Sequence, residues 1–442
     1  MKFFFLEGAC IMGKLGNYLV ILFISGFMLH ESDAFSKWVL ELGDNFADLH
    51  TDGGYWLVKF YTPWCGYCKR MEPIWGHVVQ TLKNTHIRIG RIDCSTFPNI
   101  AQKFGITKYP TIKIIKGDEQ HTFQGDKDTE QIVNFALRMS GPAVEHITRP
   151  ESLTNIKNMN QLFFMYVGER QGALWNTFND VANKMQAHAF YYSTSANIAK
   201  KHIYLNDTPA VFVHKENSQY FYTVGEGNEI EEVHHLNASM HKWMNEERFE
   251  TFMKITEGNI EEVLQTNKYI VLVVVEENKL QEIPKEMLEF RNMVESVIRK
   301  DRDKYHSSFQ FGWTSNLELA NSFAMETISL PYLMVLNSTT LHHHIPEDEP
   351  LVMTVEAIEL FLERVYNQTA PVYGGNDFAV RLYRAYFRAK TTLVDRYRGN
   401  PVLTIVLLGL PTSFLSFILY SCICSDILDA EEEDEDLHEK RE

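Results

Sequence analysis

The chain has 442 residues, 45% of them apolar, which is enough for about three ordinary globular domains. Its formal charge of −16 argues against nucleic-acid binding, which usually needs basic stripes. Of its 6 cysteines only Cys65, Cys68 and Cys94 lie between the two apolar ends, so no framework of structural disulfides holds the body of the chain.

In chain order, Lys2 and Lys14 precede an apolar run from Leu15 to Leu29 that is short for a membrane span. Ser32 and Ala34 supply small residues for cleavage before Phe35, so residues 1–34 read as a signal peptide rather than a signal anchor, with Met1 or Met12 as the start. Trp56-Leu57-Val58-Lys59-Phe60-Tyr61 is a strand by composition, and Thr62-Pro63 breaks it. Cys65-Gly66-Tyr67-Cys68 follows, and from Met71 through Ile74, Trp75, Val78, Val79 and Leu82 apolar residues recur at helical spacing. Two cysteines with two residues between them at a strand-to-helix turn can close and open a disulfide within one helical turn. The free N–H groups of the helix start favour the first thiolate, and the second thiol releases a mixed disulfide. A zinc site would need two further ligands at similar spacing, and no second C-x-x-C occurs. Cys94, after the β-like run ending Arg91-Ile92-Asp93, reads as a buried thiol, with a resolving role as the alternative.

The run Phe60-Tyr61-Thr62-Pro63-Trp64-Cys65-Gly66-Tyr67-Cys68-Lys69, followed by Glu72-Pro73-Ile74-Trp75 and by Tyr109-Pro110-Thr111, resembles the catalytic thioredoxin domain of the protein disulfide isomerase family over Trp56–Pro142. The resemblance implies that Cys65 attacks, Cys68 resolves, Trp64 and Gly66 shape the approach, and a cis Pro110 docks the client backbone. It also implies no organic cofactor, because the Cys65–Cys68 pair itself stores two electrons. Several positions depart from the family. Tyr67 replaces a histidine and supplies no cation, which is expected to make the pair more reducing. Lys59 occupies the position of a buried glutamate, where it either stabilises a Cys68 thiolate or points to solvent. Arg91 stands near the family's partner lysine, and Lys127 at the position of a mobile arginine that tunes the second cysteine.

Two thioredoxin-sized units without cysteines follow. In the first, Leu162 to Val167, Ala189 to Ser193 and Ala210 to His214 read as strands, Trp175 to Met185 as a helix, and Thr208-Pro209 echoes Tyr109-Pro110. In the second, Tyr269 to Val275, Phe309 to Trp313 and Tyr332 to Leu336 read as strands, with helices from Lys285 to Arg299 and Glu356 to Tyr366 and Leu330-Pro331 before the last strand. This repeated order is an internal repeat, and by family resemblance these units bind or position clients. The expected architecture is therefore α/β: tandem thioredoxin-like domains, one catalytic at 35–142 and two non-catalytic at 143–250 and 251–370. A basic juxtamembrane linker at 371–400, a transmembrane helix at 401–423 and an acidic tail at 424–442 complete it. His342-His343-His344 reads as a loop cluster rather than a metal site, because a contiguous triplet does not readily turn three rings to one ion.

Pro401 to Ile423 is uncharged and long enough to cross a bilayer, and Pro411 is tolerable within it. The cations Arg381, Arg384, Arg388, Lys390, Arg396 and Arg398 precede it, which opposes a lumenal N-terminal side by the positive-inside rule. Large translocated domains are largely insensitive to that rule. The glycosylation acceptors Asn237, Asn337 and Asn367, the signal and the redox pair all call for a lumenal catalytic side and a type I topology. Asn206 is a weaker acceptor because Pro209 follows its sequon. The stretch from Phe378 to Arg398, with aromatics among its arginines, reads either as an amphipathic helix on the membrane face or as a charged linker. Cys422 and Cys424 are candidates for palmitoylation, and Lys440 has the place of one half of a dilysine retrieval signal. Together these features predict a membrane-anchored disulfide oxidoreductase or isomerase of the endoplasmic reticulum, acting on secretory client proteins and exchanging electrons with glutathione or another oxidoreductase. The alternative is a lumenal client-binding adaptor with weak redox activity.

Overall fold

The computed structural model describes residues 39–46, 53–200, 203, 205, 207–223, 232–278, 280–375, 377–399 and 401–421, the last apart from 403 and 408. The signal peptide, Asn206, Cys422, Cys424 and the acidic tail lie outside the described residues. The chain divides into two compact units, one of residues up to Lys268 with Ile298–Gly312, the other of Tyr269–Val297 with everything from Trp313.

The first unit opens with β1 (Leu40–Glu41), β2 (Tyr55–Tyr61), α1 (Gly66–Arg70), α2 (Glu72–Leu82), β3 (Ile87–Asp93), α3 (Pro98–Lys103), β4 (Thr111–Lys116), β5 (Glu119–Thr122) and α4 (Thr129–Ser140). The strands form a sheet in the order β1-β3-β2-β4-β5, with β2 parallel to β3 and antiparallel to β4. Because β2 is central it is buried on both faces and reads as a nearly continuous apolar run. Trp56, Val58 and Phe60 pack with Phe46, Ile92 and Phe104 on one face. Leu57 packs with Trp75, Val78 and Ile132 on the other. The two-residue period of a strand puts Lys59 on the face of Leu57, toward α2.

A second five-stranded sheet repeats the plan: β6 (Glu145–Ile147), α5 (Pro150–Met159), β7 (Leu162–Val167), α6 (Ala173–Met185), β8 (Phe190–Thr194), β9 (Ala210–Lys215), β10 (Ser218–Phe221) and α7 (Glu232–Glu247), with strand order β6-β8-β7-β9-β10. The first two copies meet through the end of α4. The Arg138 guanidinium donates to the Ala187 carbonyl at 2.7 Å and lies 5.2 Å from the Phe190 ring. The Gln186 amide donates to the Arg138 and Gly141 carbonyls at 2.6 and 3.0 Å. A buried ionic cluster closes the far side of the second copy. The Glu247 carboxylate takes Lys215 Nζ at 2.7 Å, Arg302 at 2.7 Å and His306 Nε2 at 2.9 Å. Burial opposes ionisation of Glu247, yet His306 and Lys215 hold its carboxyl well below the usual range.

In the second unit β12 (Tyr269–Val274), β14 (Tyr332–Asn337), β15 (His342–His344) and β16 (Tyr373–Gly374) run antiparallel in that order, with helices α9 (Leu317–Ala324) and α10 (Val355–Tyr366). (β11 is Phe252–Lys254, β13 is Phe309–Thr314 and α8 is Lys285–Lys300.) His342-His343-His344 is thus a strand and not a loop. Cross-strand pairing to Val335 and Leu336 buries His343 and His344. The stretch before the span is a 22-residue helix, α11 (Phe378–Gly399), and a helical segment from Thr404 to Ser421 has a mean hydropathy of 1.7. Tyr109-Pro110, Thr208-Pro209 and Leu330-Pro331 are cis peptide bonds.

Candidate functional site

The C-x-x-C pair sits where β2 ends. Thr62-Pro63 leaves the sheet, Cys65 N–H donates to the Thr62 carbonyl at 3.2 Å, and Cys65 becomes the N-cap of α1. Its Sγ accepts the Cys68 N–H at 3.3 Å and stands 3.7 Å from the Tyr109 carbonyl on the cis-proline loop. Both sulfurs are thiols here. They differ in access: Cys65 is half-exposed, whereas Cys68 is 1% exposed. Burial, and then the hydrogen bond with Cys65, pushes the Cys68 thiol up to about 11. A reagent in solution therefore meets Cys65, while Cys68 is held protonated until a mixed disulfide forms beside it.

The surroundings form an apolar rim with a basic edge. Trp64 is 71% and Tyr67 68% exposed, unusual for side chains of that size. A groove of about 340 Å³ runs beside the cysteines, lined by Tyr67, Arg70, Ile74, Tyr109, Pro110 and Lys127 among others. The Arg70 guanidinium lies 4.3 Å from the Tyr67 ring centroid, which holds that ring at the rim. Lys127 is exposed on the groove wall. A Cβ added at Gly66 would meet only the Arg70 guanidinium, at 4.0 Å, so packing does not demand that glycine. A larger cavity of about 800 Å³, lined by Tyr55, Lys116, Gln120 and Gln186 among others, lies apart from the cysteines.

Lys59 does not point to solvent. Its side chain is fully buried, with Nζ 2.8 Å from Glu72 Oε1 and 5.5 Å from the Trp75 ring. Glu72 Oε2 reaches Arg91 at 3.4 Å, and Arg91 in turn pairs with Glu41. Burial lowers the Lys59 pKa, and the Glu72 carboxylate pulls it back. The lysine charge in turn pulls the Cys68 thiol downward, against its burial. Glu72 is the residue that sequence reasoning missed as a participant. Its signal was present, since it starts α2 one turn beyond Cys68, on the side toward which the strand alternation aims Lys59. Cys94 is 4% exposed, with its Sγ 3.8 Å from the Ile92 carbonyl, and burial pushes its thiol up to about 11.

The glycosylation candidates fall in three settings. Asn237 is half-buried within α7, Asn367 is the exposed C-cap of α10, and Asn337 ends β14 with its Oδ1 accepting the Thr339 and Thr340 N–H groups at 3.0 and 3.1 Å.

Comparison with known proteins agrees with this geometry. The thioredoxin family matches residues 39–138, and a thioredoxin-like domain family matches residues 168–364. Protein disulfide-isomerase TMX3 of Xenopus laevis is 30% identical over 424 residues, covering 96% of this chain and 90% of that protein. The Homo sapiens protein of the same name is 28% identical over 390 residues, covering 88% and 82%. Among solved structures, the first thioredoxin domain of mouse protein disulfide-isomerase A4 is 36% identical over 24% of this chain and 76% of that one, with a TM-score of 0.23.

Proposed function

This chain belongs to the protein disulfide isomerase family, and from that premise we propose how its one pair of redox cysteines works. The protein is a membrane-anchored thiol–disulfide oxidoreductase of the endoplasmic reticulum that acts on client proteins. The observation that carries the reading is the unequal access of two thiols on one helical turn: Cys65 half-exposed beside the groove, Cys68 buried behind it.

In the reducing direction the Cys65 thiolate attacks one sulfur of a client disulfide. A Cys65–client bond forms, and the other client sulfur leaves as a thiolate that takes a proton from water. Cys68 then gives up its proton and attacks Cys65 Sγ, closing the Cys65–Cys68 disulfide and releasing the second client thiol. The oxidising direction runs the same steps backward. Isomerisation stops at the mixed disulfide and lets a client thiol attack. The rim of Trp64, Tyr67 and Pro110 receives the client chain, and the Lys59 ammonium favours the Cys68 thiolate at the moment of resolution. Glutathione or a partner oxidoreductase resets the pair. The catalytic domain is residues 35–142, with two non-catalytic units at 143–250 and 251–370 that hold clients. Residues 1–34 are removed, 401–423 span the membrane, and the topology is type I with Asn237, Asn337 and Asn367 on the catalytic side. The apolar segment near the C-terminus and the paired sequons and thiols support that orientation.

The test is to equilibrate the protein in graded glutathione buffers and count free thiols at Cys65 and Cys68. A midpoint within the range of the endoplasmic reticulum, about −180 to −210 mV, supports oxidation and isomerisation. A much lower midpoint makes the protein a reductase. A pair that never exchanges with glutathione overturns the reading in favour of a client-binding adaptor. Cys68→Ala, expressed in cells, should accumulate clients linked through Cys65.

A further inference from the structure

Helix α11 docks by one face and leaves the opposite face bare. Val380, Arg384, Phe387 and Thr391, spaced four, three and four residues apart, are half-buried along one stripe. Arg384 donates to the Gly375 carbonyl at 2.9 Å, and the helix packs on α9. At 100° per residue the far side, on which Arg396 also falls near the C-terminal end, carries the large apolar residues Phe378, Leu382, Tyr386, Leu393 and Tyr397. Every one of these is exposed, at 74%, 62%, 61%, 41% and 53%. An apolar stripe this long, turned away from the protein body, is not a stable surface in water. Arg381 and Lys390 fall at its two edges on the same projection, and both are exposed. By sequence the helix carries Arg381, Arg384, Arg388, Lys390, Arg396 and Arg398 against Asp395, in a chain whose net charge is −16.

A large apolar face, cationic edges and low overall hydrophobicity are the marks of a helix that lies in the plane of a bilayer surface. The long stems of arginine and lysine at such edges cover the apolar boundary while their charges reach phosphate. The C-terminal end of the helix, at Gly399, precedes the apolar segment Thr404–Ser421 by only a few residues, so that end is held near the bilayer. Gly399-Asn400-Pro401 joins the two. Glycine weakens a helix, and the residue before a proline disfavours helical backbone, which suits a change of direction at this point. Were α11 instead to continue straight out of the membrane, its 22 residues would carry the apolar stripe about 33 Å into water.

We propose that α11 lies along the membrane surface, with Phe378, Leu382, Tyr386, Leu393 and Tyr397 at the acyl boundary and its flanking cations at the lipid phosphates. The body of the second unit then stands on this helix rather than swinging on a tether. A second copy of the chain is the rival occupant of the stripe, and the continuity with the span favours lipid.

The test uses the whole chain in phosphatidylcholine vesicles, with its native cysteines replaced by serine. A single environment-sensitive fluorophore is placed at Leu382→Cys or Tyr386→Cys, with Glu356→Cys on α10 as the control and a thermal melt to check folding. Lipids carrying a nitroxide near the headgroup end of the acyl chain should quench the first two labels at least twofold and leave the third unchanged. Labels at 382 and 386 that stay in water and unquenched overturn the proposal. So do labels that are shielded only as protein density in the vesicle rises, without lipid quenching, which would assign the stripe to a second copy. A second variant guards against a label creating its own insertion. Leu382→Asp with Tyr386→Asp should strip the quenching from a fluorophore at Leu393→Cys while the protein stays in the vesicle. Undiminished quenching there would also sink the idea.

Discussion

The two five-stranded sheets of the first unit share strand order and a cis proline at the same edge, yet one edge is chemically active and the other is not. Register aligns them. Phe60 faces Thr111 just after Pro110, and Val167 faces Ala210 just after Pro209. One residue earlier stand Lys59 in the first copy and Tyr166 in the second. Lys59 holds a buried ion pair with Glu72, whereas Tyr166 turns its hydroxyl to donate to the Glu169 carbonyl at 2.8 Å. The loops that follow differ as sharply. The first copy reaches its helix through Thr62-Pro63 and caps it with a sulfur. The second passes through Gly168 and Gly172, at φ of +152° and +88°, with no side-chain cap. The fold therefore supplies a place for chemistry, and reactivity comes from the capping residue and the charge beneath it.

Removing the cap sulfur should make the first edge as inert as the second. Cys65→Ser is expected to lose at least 100-fold of insulin-reduction rate, to the level of buffer thiols, because Cys68 is too buried to start the exchange. Residual turnover through Cys68 would break the comparison. A large stability effect belongs to the second copy. Replacing Glu247 by Gln leaves the buried Lys215 and the half-buried Arg302 without their carboxylate and should cost about 3 kcal/mol in urea unfolding of the whole protein at pH 7.

The same cluster sets an acid limit. The Glu247 carboxyl is depressed in the fold, so its contribution is present above the ordinary carboxylate range and is lost as pH falls through and below it. His306 is lowered to about 4, chiefly by burial, so the unfolded chain takes up that proton first, from about pH 6.5 downward. Both effects lower stability on acidification. The urea midpoint should decline from pH 7 to 4, and Glu247→Gln should remove the part of the decline in the carboxylate range while leaving the His306 part, because Glu247 raises the His306 pKa. The smallest effect concerns Lys59. Lys59→Met should slow resolution of a Cys65 mixed disulfide by about tenfold at pH 7 and move its pH profile upward by about one unit. An unchanged profile with a lowered melting temperature would reduce Lys59 to a packing role.

Local patterns in the sequence were enough to place the central strands within a residue, because strands such as β7 and β12 are unbroken apolar runs that nothing else explains, whereas short outer strands such as β5, β10 and β16 carry no such run. The thiol pair and its helix start were legible for the same reason: strand, breaker and helical period meet at Cys65. Burial of charge was not. Whether Lys59 faces solvent depends on a carboxylate thirteen residues away on another element, and composition carries no such information. His342-His343-His344 failed similarly, since a polar triplet becomes a buried strand only through its partners Val335 and Leu336. The helicity of Phe378–Gly399 was an even choice from composition, and its docked stripe became visible only with Val380, Arg384, Phe387 and Thr391 half-buried on one side.

The junction through Arg138 has a consequence for taking the protein apart. Burial, the largest influence on Arg138, lowers its pKa to about 10, and its guanidinium and carbonyl are both held by residues of the next copy. Gly141-Pro142 looks like a tether in a string of letters, but here it is a seam. A protease offered the intact chain should spare this stretch while the seam holds, because cleavage needs an extended backbone free to leave. A fragment cut at 142 would expose a side chain shaped for a neighbour it no longer has.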